Sequence, residues 1–165
     1  MFDLDIKAKG FDKTIQNLAN YDQVATRENR KAMGKAVAII TKAAKENVAV
    51  GVSGEARAKI HGEVREAGPG AVLGVVGGYS DHSLVLEKGA DPHWPNVRGL
   101  AMWVLRKLRV ASDQVQSVTY LVARKISRRG LHAQPYLEPA FEDNQGKISK
   151  FFEKALANIV RRLSS

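Results

Sequence analysis

Cysteine is absent from this 165-residue chain. That excludes disulfides, thiolate nucleophiles and cysteine-ligated zinc, and it fits folding and assembly in a cytosol. No apolar run approaches the length of a membrane-spanning helix. Met1–Asp5 carries neither the basic region nor the apolar stretch of a signal peptide, so a soluble intracellular protein is expected. Catalytic motifs are missing as well. The four histidines, His61, His82, His93 and His132, form no metal-binding pair at helical spacing. Asp81, His82 and Ser83 are adjacent, but neighbours on a helix point about 100° apart, and no nucleophile elbow surrounds Ser83. Glu87 and Asp91 lack the further acidic partner a metal-dependent nuclease needs. Gly68, Gly70, Gly74, Gly77 and Gly78 match neither a P-loop nor a dinucleotide fingerprint. The expectation is a protein that is not an enzyme and uses no cofactor or metal.

Acidic residues are the scarcer charge, 17 against 26 Lys and Arg, which leaves a net charge of +9. The excess is concentrated. Between Ala101 and Gln134 stand Arg106, Lys107, Arg109, Arg124, Lys125, Arg128 and Arg129, against Asp113 alone. Such a cluster favours a phosphate backbone, an acidic protein face or anionic lipid. The competing reading is a solvated helix face. Hydrophobic residues make up 44% of the chain, enough for a core without staples at this length.

Periodicity divides the chain. Leu4–Ala8 alternates as a short strand would, and Phe11, Ile15 and Leu18 recur at helical spacing up to about Asn20. A long helix is predicted from Gln23 to Asn47, with Ala25, Ala32, Met33, Ala36, Val37, Ile40, Ala43 and Ala44 on its apolar face. Val48–Gly54 reads as a connector. Ala58, Ile60, Gly62 and Val64 then alternate with polar residues, and after Ala67–Gly70 comes the almost uncharged Ala71–Gly78. Together these predict a β-hairpin with a four-residue loop, its second strand central in the sheet. A short helix within Tyr79–Glu87, capped by Ser80 or Asp81 and stopped by Gly89, should follow. Pro92 and Pro95 make a loop around His93 and Trp94. Leu100, Trp103, Val104 and Leu108 mark a third helical segment. Val115, Val118, Leu121, Val122 and Ile126 mark a fourth, ending at Gly130. Beyond Pro135 a last helix carries Phe151, Phe152, Ala155, Ile159 and Leu163. With no linker or repeat, the expectation is one α+β domain over 1–165. It is a small antiparallel sheet packed by a long N-terminal helix and a C-terminal helix, with helical insertions.

Two stretches stand out. One is Tyr79 with Val85-Leu86-Glu87-Lys88-Gly89. The other is Ala123-Arg124-Lys125-Ile126, followed by Gly130-Leu131-His132-Ala133-Gln134-Pro135-Tyr136-Leu137-Glu138-Pro139-Ala140. In their order along the chain they resemble the neck and tail-completion proteins of tailed bacteriophages, which join the DNA-filled head to the tail. The turn at Tyr79 is one or two residues longer than the usual form. The resemblance implies a structural virion protein, assembled in the host cytoplasm as a homo-oligomeric ring, most simply a hexamer. It implies neighbouring connector and tail-terminator or tail-tube proteins as partners, genomic DNA in the channel, and no membrane. Arg106, Lys107, Arg109, Arg124, Lys125, Arg128 and Arg129 then become contacts to DNA or to subunits. Tyr79, Glu87, Gly89, Trp94, Trp103, Pro135, Tyr136, Leu137 and Phe141 become interface or fold-determining residues. Phe141 in particular is expected to be buried and to help dock the last helix on the sheet. Two alternatives stay open: a stand-alone basic nucleic-acid-binding module, and a small metal-dependent nuclease using Glu87 or His82.

Overall fold

In the computed structural model, residues 20–49, 51–68 and 71–164 are described. The strand expected at Leu4–Ala8 and the helix expected at Phe11–Leu18 lie outside them. So do Pro69 and Gly70 of the hairpin turn and Val50 of the connector. Among the described residues, seven helices and two antiparallel strands follow in mixed order, which gives the expected α+β class. They are α1 (Tyr21–Asn47), α2 (Glu55–Ala58), β1 (Ile60–Gly68), β2 (Ala71–Gly78) and α3 (Ser83–Lys88). After these come α4 (Val97–Lys107), α5 (Val115–Arg129), α6 (Leu137–Glu142) and α7 (Gln145–Ser164).

The described residues fall into two compact units. The first draws on residues 20–38, 63–68, 71–75 and 145–164, and the second on residues 39–49, 51–62 and 76–144. Neither is a contiguous stretch, because α1 and both strands run through the two.

In the first unit, Ala25, Ala32, Ala36 and Val37 of α1 are buried, as the small-residue stripe predicts. A Cβ on Gly74 would lie 2.5 Å from Met33 Sδ and 2.8 Å from Val37 Cγ2, so the β2 backbone rests directly on α1. A larger residue there would need the Met33 and Val37 side chains to shift. Among the described residues the sheet has two strands. The lack of charge in β2 therefore reflects this helix contact, and the expected central position is not seen. Ala155 and Ile159 are the buried residues of α7.

The same unit contains a buried carboxylate. Glu28, 4% exposed, accepts from Lys31 Nζ at 3.0 Å and from Asn158 Nδ2 at 3.2 Å, with Arg162 at 3.6 Å. The Lys31 hydrogen bond holds its carboxyl below the ordinary carboxylate range, with Asn158 and Arg162 acting the same way against the opposing effect of burial. A depressed pKa means that the charged form favours the folded state. Its contribution is complete above the ordinary carboxylate pKa of about 4.3 and is lost as pH falls through the lower folded value. Glu28→Gln is therefore expected to flatten the acid limb of stability against pH. Denaturant melts of both proteins, at neutral pH and across the acid range, measure the difference.

The second unit has its core in Ala44, Val48, Ile60, Tyr136 and Ala140, with Ile40, Ala43, Ala56, Leu86 and Leu137 packed against it. Strand β1 begins at Ile60, and Ala58 is helical where an alternating strand was expected. Gly54, at φ 66, starts the turn, and the Glu55–Lys59 ion pair at 2.6 Å spans it one helical turn apart. The strands run to Gly68 and resume at Ala71, so the hairpin turn is tighter than four residues. Helix α3 starts at Ser83, its backbone N–H donating to Ser80 O, while the Ser80 N–H donates to Ser83 Oγ. Gly89, at φ 77, ends it as expected.

Past Pro135 the helix is two helices rather than one. At the break, the N–H groups of Asp143 and Asn144 donate to Pro139 O and Phe141 O, and buried Asn144 also donates from Nδ2 to Ala140 O. On α5, Leu121 is 60% exposed, against the expected apolar face. At 3.6 residues per turn, Leu121 shares a side with Ser117 and Arg124, opposite buried Thr119, Ala123 and Ile126. On α4, Val104 is fully buried, whereas Trp103 and Leu108 are exposed.

Candidate functional site

The two stretches singled out in the sequence meet in space. Glu87, on the last turn of α3, aims its carboxylate at the start of α6. Oε2 accepts from the backbone N–H groups of Tyr136 at 2.9 Å and Leu137 at 3.0 Å, and Oε1 accepts from Glu138 at 3.1 Å. Those donors have no partner within their own helix, and Pro139, next in line, has no N–H to satisfy. The carboxylate thus serves as an N-cap supplied from about 50 residues away, and its negative charge sits at the positive end of the helix. No side chain caps α6 from within its own segment.

The chain segments around this clasp are bonded as well. Ala90 and Leu131 exchange both backbone hydrogen bonds, at 2.9 and 2.7 Å, and Gln134 N–H donates to Leu86 O at 2.7 Å. Gly89 and Gly130 flank that bridge with φ of 77° and 68°. A Cβ at Gly89 would meet Leu131 O and Ala133 N, and one at Gly130 would meet Ala90 O. Both glycines are required twice over, by conformation and by the closeness of the opposite backbone. Below the clasp, Tyr136 is 1% exposed and its hydroxyl lies against Gly78, where a Cβ would overlap it.

Other expected positions fall elsewhere. Tyr79 is exposed and stacks on His61, with ring centroids 4.0 Å apart and planes 15° apart. Pro135 is exposed and Leu137 half-buried. Phe141, expected to be a buried anchor, is 48% exposed. It sits on α6 one helical step from buried Ala140, so the ring points away from the side that Ala140 packs. Tyr136 and Leu137 instead pack into the core of the second unit.

Helices α4 and α5 pack on one another and carry much of the exposed apolar surface. Trp94, ahead of α4, faces Tyr120 with ring centroids 6.1 Å apart. Trp94, Val97, Met102, Trp103, Leu105, Tyr120 and Leu121 are all exposed. A shallow, open depression of about 430 Å³ is lined by Gln116, Ser117, Tyr120 and Leu121. All seven basic residues of the cluster are exposed on this part of the chain. Among the described residues, Arg106, Arg109, Arg124, Lys125, Arg128 and Arg129 form no ion pair. Elsewhere, basic residues do find carboxylates, as Arg30 does with Glu66 at 2.7 Å. Arg128 and Arg129 also occupy the last turn of α5, where the helix dipole favours cations.

Of the candidate chemistry, Ser83 is buried and its hydroxyl is 2.7 Å from that of Ser80, while His82 is exposed. His93 Nδ1 is 2.7 Å from Asp91 O within its own loop. Among the described residues no three His, Asp or Glu side chains are grouped to hold a metal ion, and none of the helices is long and apolar enough to cross a membrane. The Glu87 clasp was not legible as a contact, since nothing in the sequence pairs residue 87 with residues 136–138. The usable signal was the absence of Ser, Thr, Asp or Asn ahead of a helix start bracketed by two prolines. Compared with protein-family models, with curated proteins and with solved structures, the chain matches none.

Proposed function

We propose that this chain is a structural protein of a tailed-bacteriophage neck, a head–tail joining or tail-completion protein that assembles into a ring between capsid and tail. The observation that carries the reading is the α4–α5 surface, where exposed aromatic and aliphatic side chains adjoin unpaired basic residues. Exposed apolar surface of this kind marks sites of association, and the basic residues suit DNA or an acidic neighbour. The resemblance supplies the setting, and the Glu87 clasp supports it by hydrogen-bonding the two stretches that carry the resemblance to one another. Imaging of purified particles tests the reading. Copies of this chain are expected between portal and tail tube, and their absence there would overturn it. Replacing Arg124, Lys125, Arg128 and Arg129 together by Gln is expected to leave the fold intact and to impair head–tail joining or DNA retention. Particles that join and hold DNA normally would reduce these four to a solvated surface.

A second reading, a stand-alone nucleic-acid-binding module, rests on the same unpaired cations. It requires DNA binding by the free protein that weakens steeply with salt, in proportion to the phosphates contacted.

A further inference from the structure

Resting on the ring reading, we infer that neighbouring copies join head to tail, with α6 of one copy seated on the outward face of α5 of the next. Along α5, Ser117, Tyr120, Leu121, Arg124 and Arg128 fall on one side at spacings of three and four residues. Tyr120 and Leu121 are 55% and 60% exposed beside the open depression of about 430 Å³. The face is thus apolar at one end and cationic at the other.

Helix α6 presents the converse. Glu138, Phe141 and Glu142 share its outward side at the same spacings, all three exposed, and Asp143 follows directly. Phe141 is 48% exposed, and among the described residues none of these carboxylates forms an ion pair. A ring with carboxylates beside it matches an apolar depression with guanidinium groups on its C-terminal side. Seating Phe141 against Tyr120 and Leu121 would bring Glu138 and Glu142 towards Arg124 and Arg128, where bidentate pairing is available. The two surfaces differ, so the contact is heterologous. Repeated contacts of that kind close into a ring when the rotation per copy allows it.

The absence of native cysteine makes a direct test available. Leu121→Cys and Phe141→Cys in one full-length chain should yield a ladder of disulfide-linked oligomers on mild oxidation, because trapping needs the two Cα atoms within about 7 Å. Mixing the two single variants should give dimers, while each alone stays monomeric. Arg124→Glu with Arg128→Glu should abolish the ladder, and adding Glu138→Arg with Glu142→Arg should restore it, with circular dichroism confirming the fold of every variant. Absence of a ladder, or dimers from Leu121→Cys alone in equal yield, would overturn the contact. So would protection of the Leu121→Cys thiol from maleimide by duplex DNA without any ladder, which would assign the face to nucleic acid. A ring imaged in particles without the trapped pair overturns this contact and leaves the ring reading standing. A ladder from a chain absent from particles supports the contact and removes the ring reading.

Discussion

Tyr136→Ala is expected to cost about 4 kcal/mol and to lower Tm by roughly 10 °C for a chain of this size. Among the described residues, Tyr136 is the largest of the fully buried side chains, enclosed with Ala44, Val48, Ile60 and Ala140. Most of these neighbours are held in helices and a strand, so the cavity left behind can collapse only in part. Phe141→Ala, five residues on, is expected to cost less than about 1 kcal/mol, because its half-exposed ring forfeits little burial. Thermal melts of the two variants beside wild type separate these outcomes. Equal losses would show that Phe141 is a core residue after all.

Glu87→Ala should be nearly as damaging, by about 2–3 kcal/mol, because it strands the part-buried N–H groups of Tyr136 and Leu137. The Glu138 N–H is exposed and can turn to water. Glu87→Gln keeps one acceptor oxygen but loses the charge at the helix start, and about 1 kcal/mol is expected. Amide hydrogen exchange gives the local readout. In Glu87→Ala the amides of Tyr136, Leu137 and Glu138 should exchange faster, even where α1 keeps its protection. Unchanged exchange at those three amides would overturn the capping role.

These two residues also mark what the sequence could and could not say. The 27-residue α1 was legible because its alanines and valines recur at helical spacing over many turns. The stop at Gly89 was legible because a left-handed helix end favours glycine. Phe141 was misread because hydrophobicity alone does not tell which side of a six-residue helix faces inward. One turn offers too few positions to set a phase. Leu121 failed differently. Its helix packs through Thr119 and Ala123, residues that an apolar pattern passes over. At the candidate surface, the basic cluster was plain in the composition. That Arg106, Arg109, Arg124, Lys125, Arg128 and Arg129 lack carboxylate partners among the described residues depends on three-dimensional neighbours and could only be seen in the fold.

The Ala90–Leu131 bridge has a consequence for how such a chain can change over time. Everything between these residues, α4 and α5 included, departs from and returns to one closed point, held by reciprocal glycines and the Glu87 clasp. The hydrophobic cluster around Tyr136 takes no residue from that excursion. Closing a longer or shorter loop at a fixed junction changes the free energy only slowly with length. The proposed partner surface can therefore be lengthened, shortened or exchanged at little cost to the cluster around Tyr136.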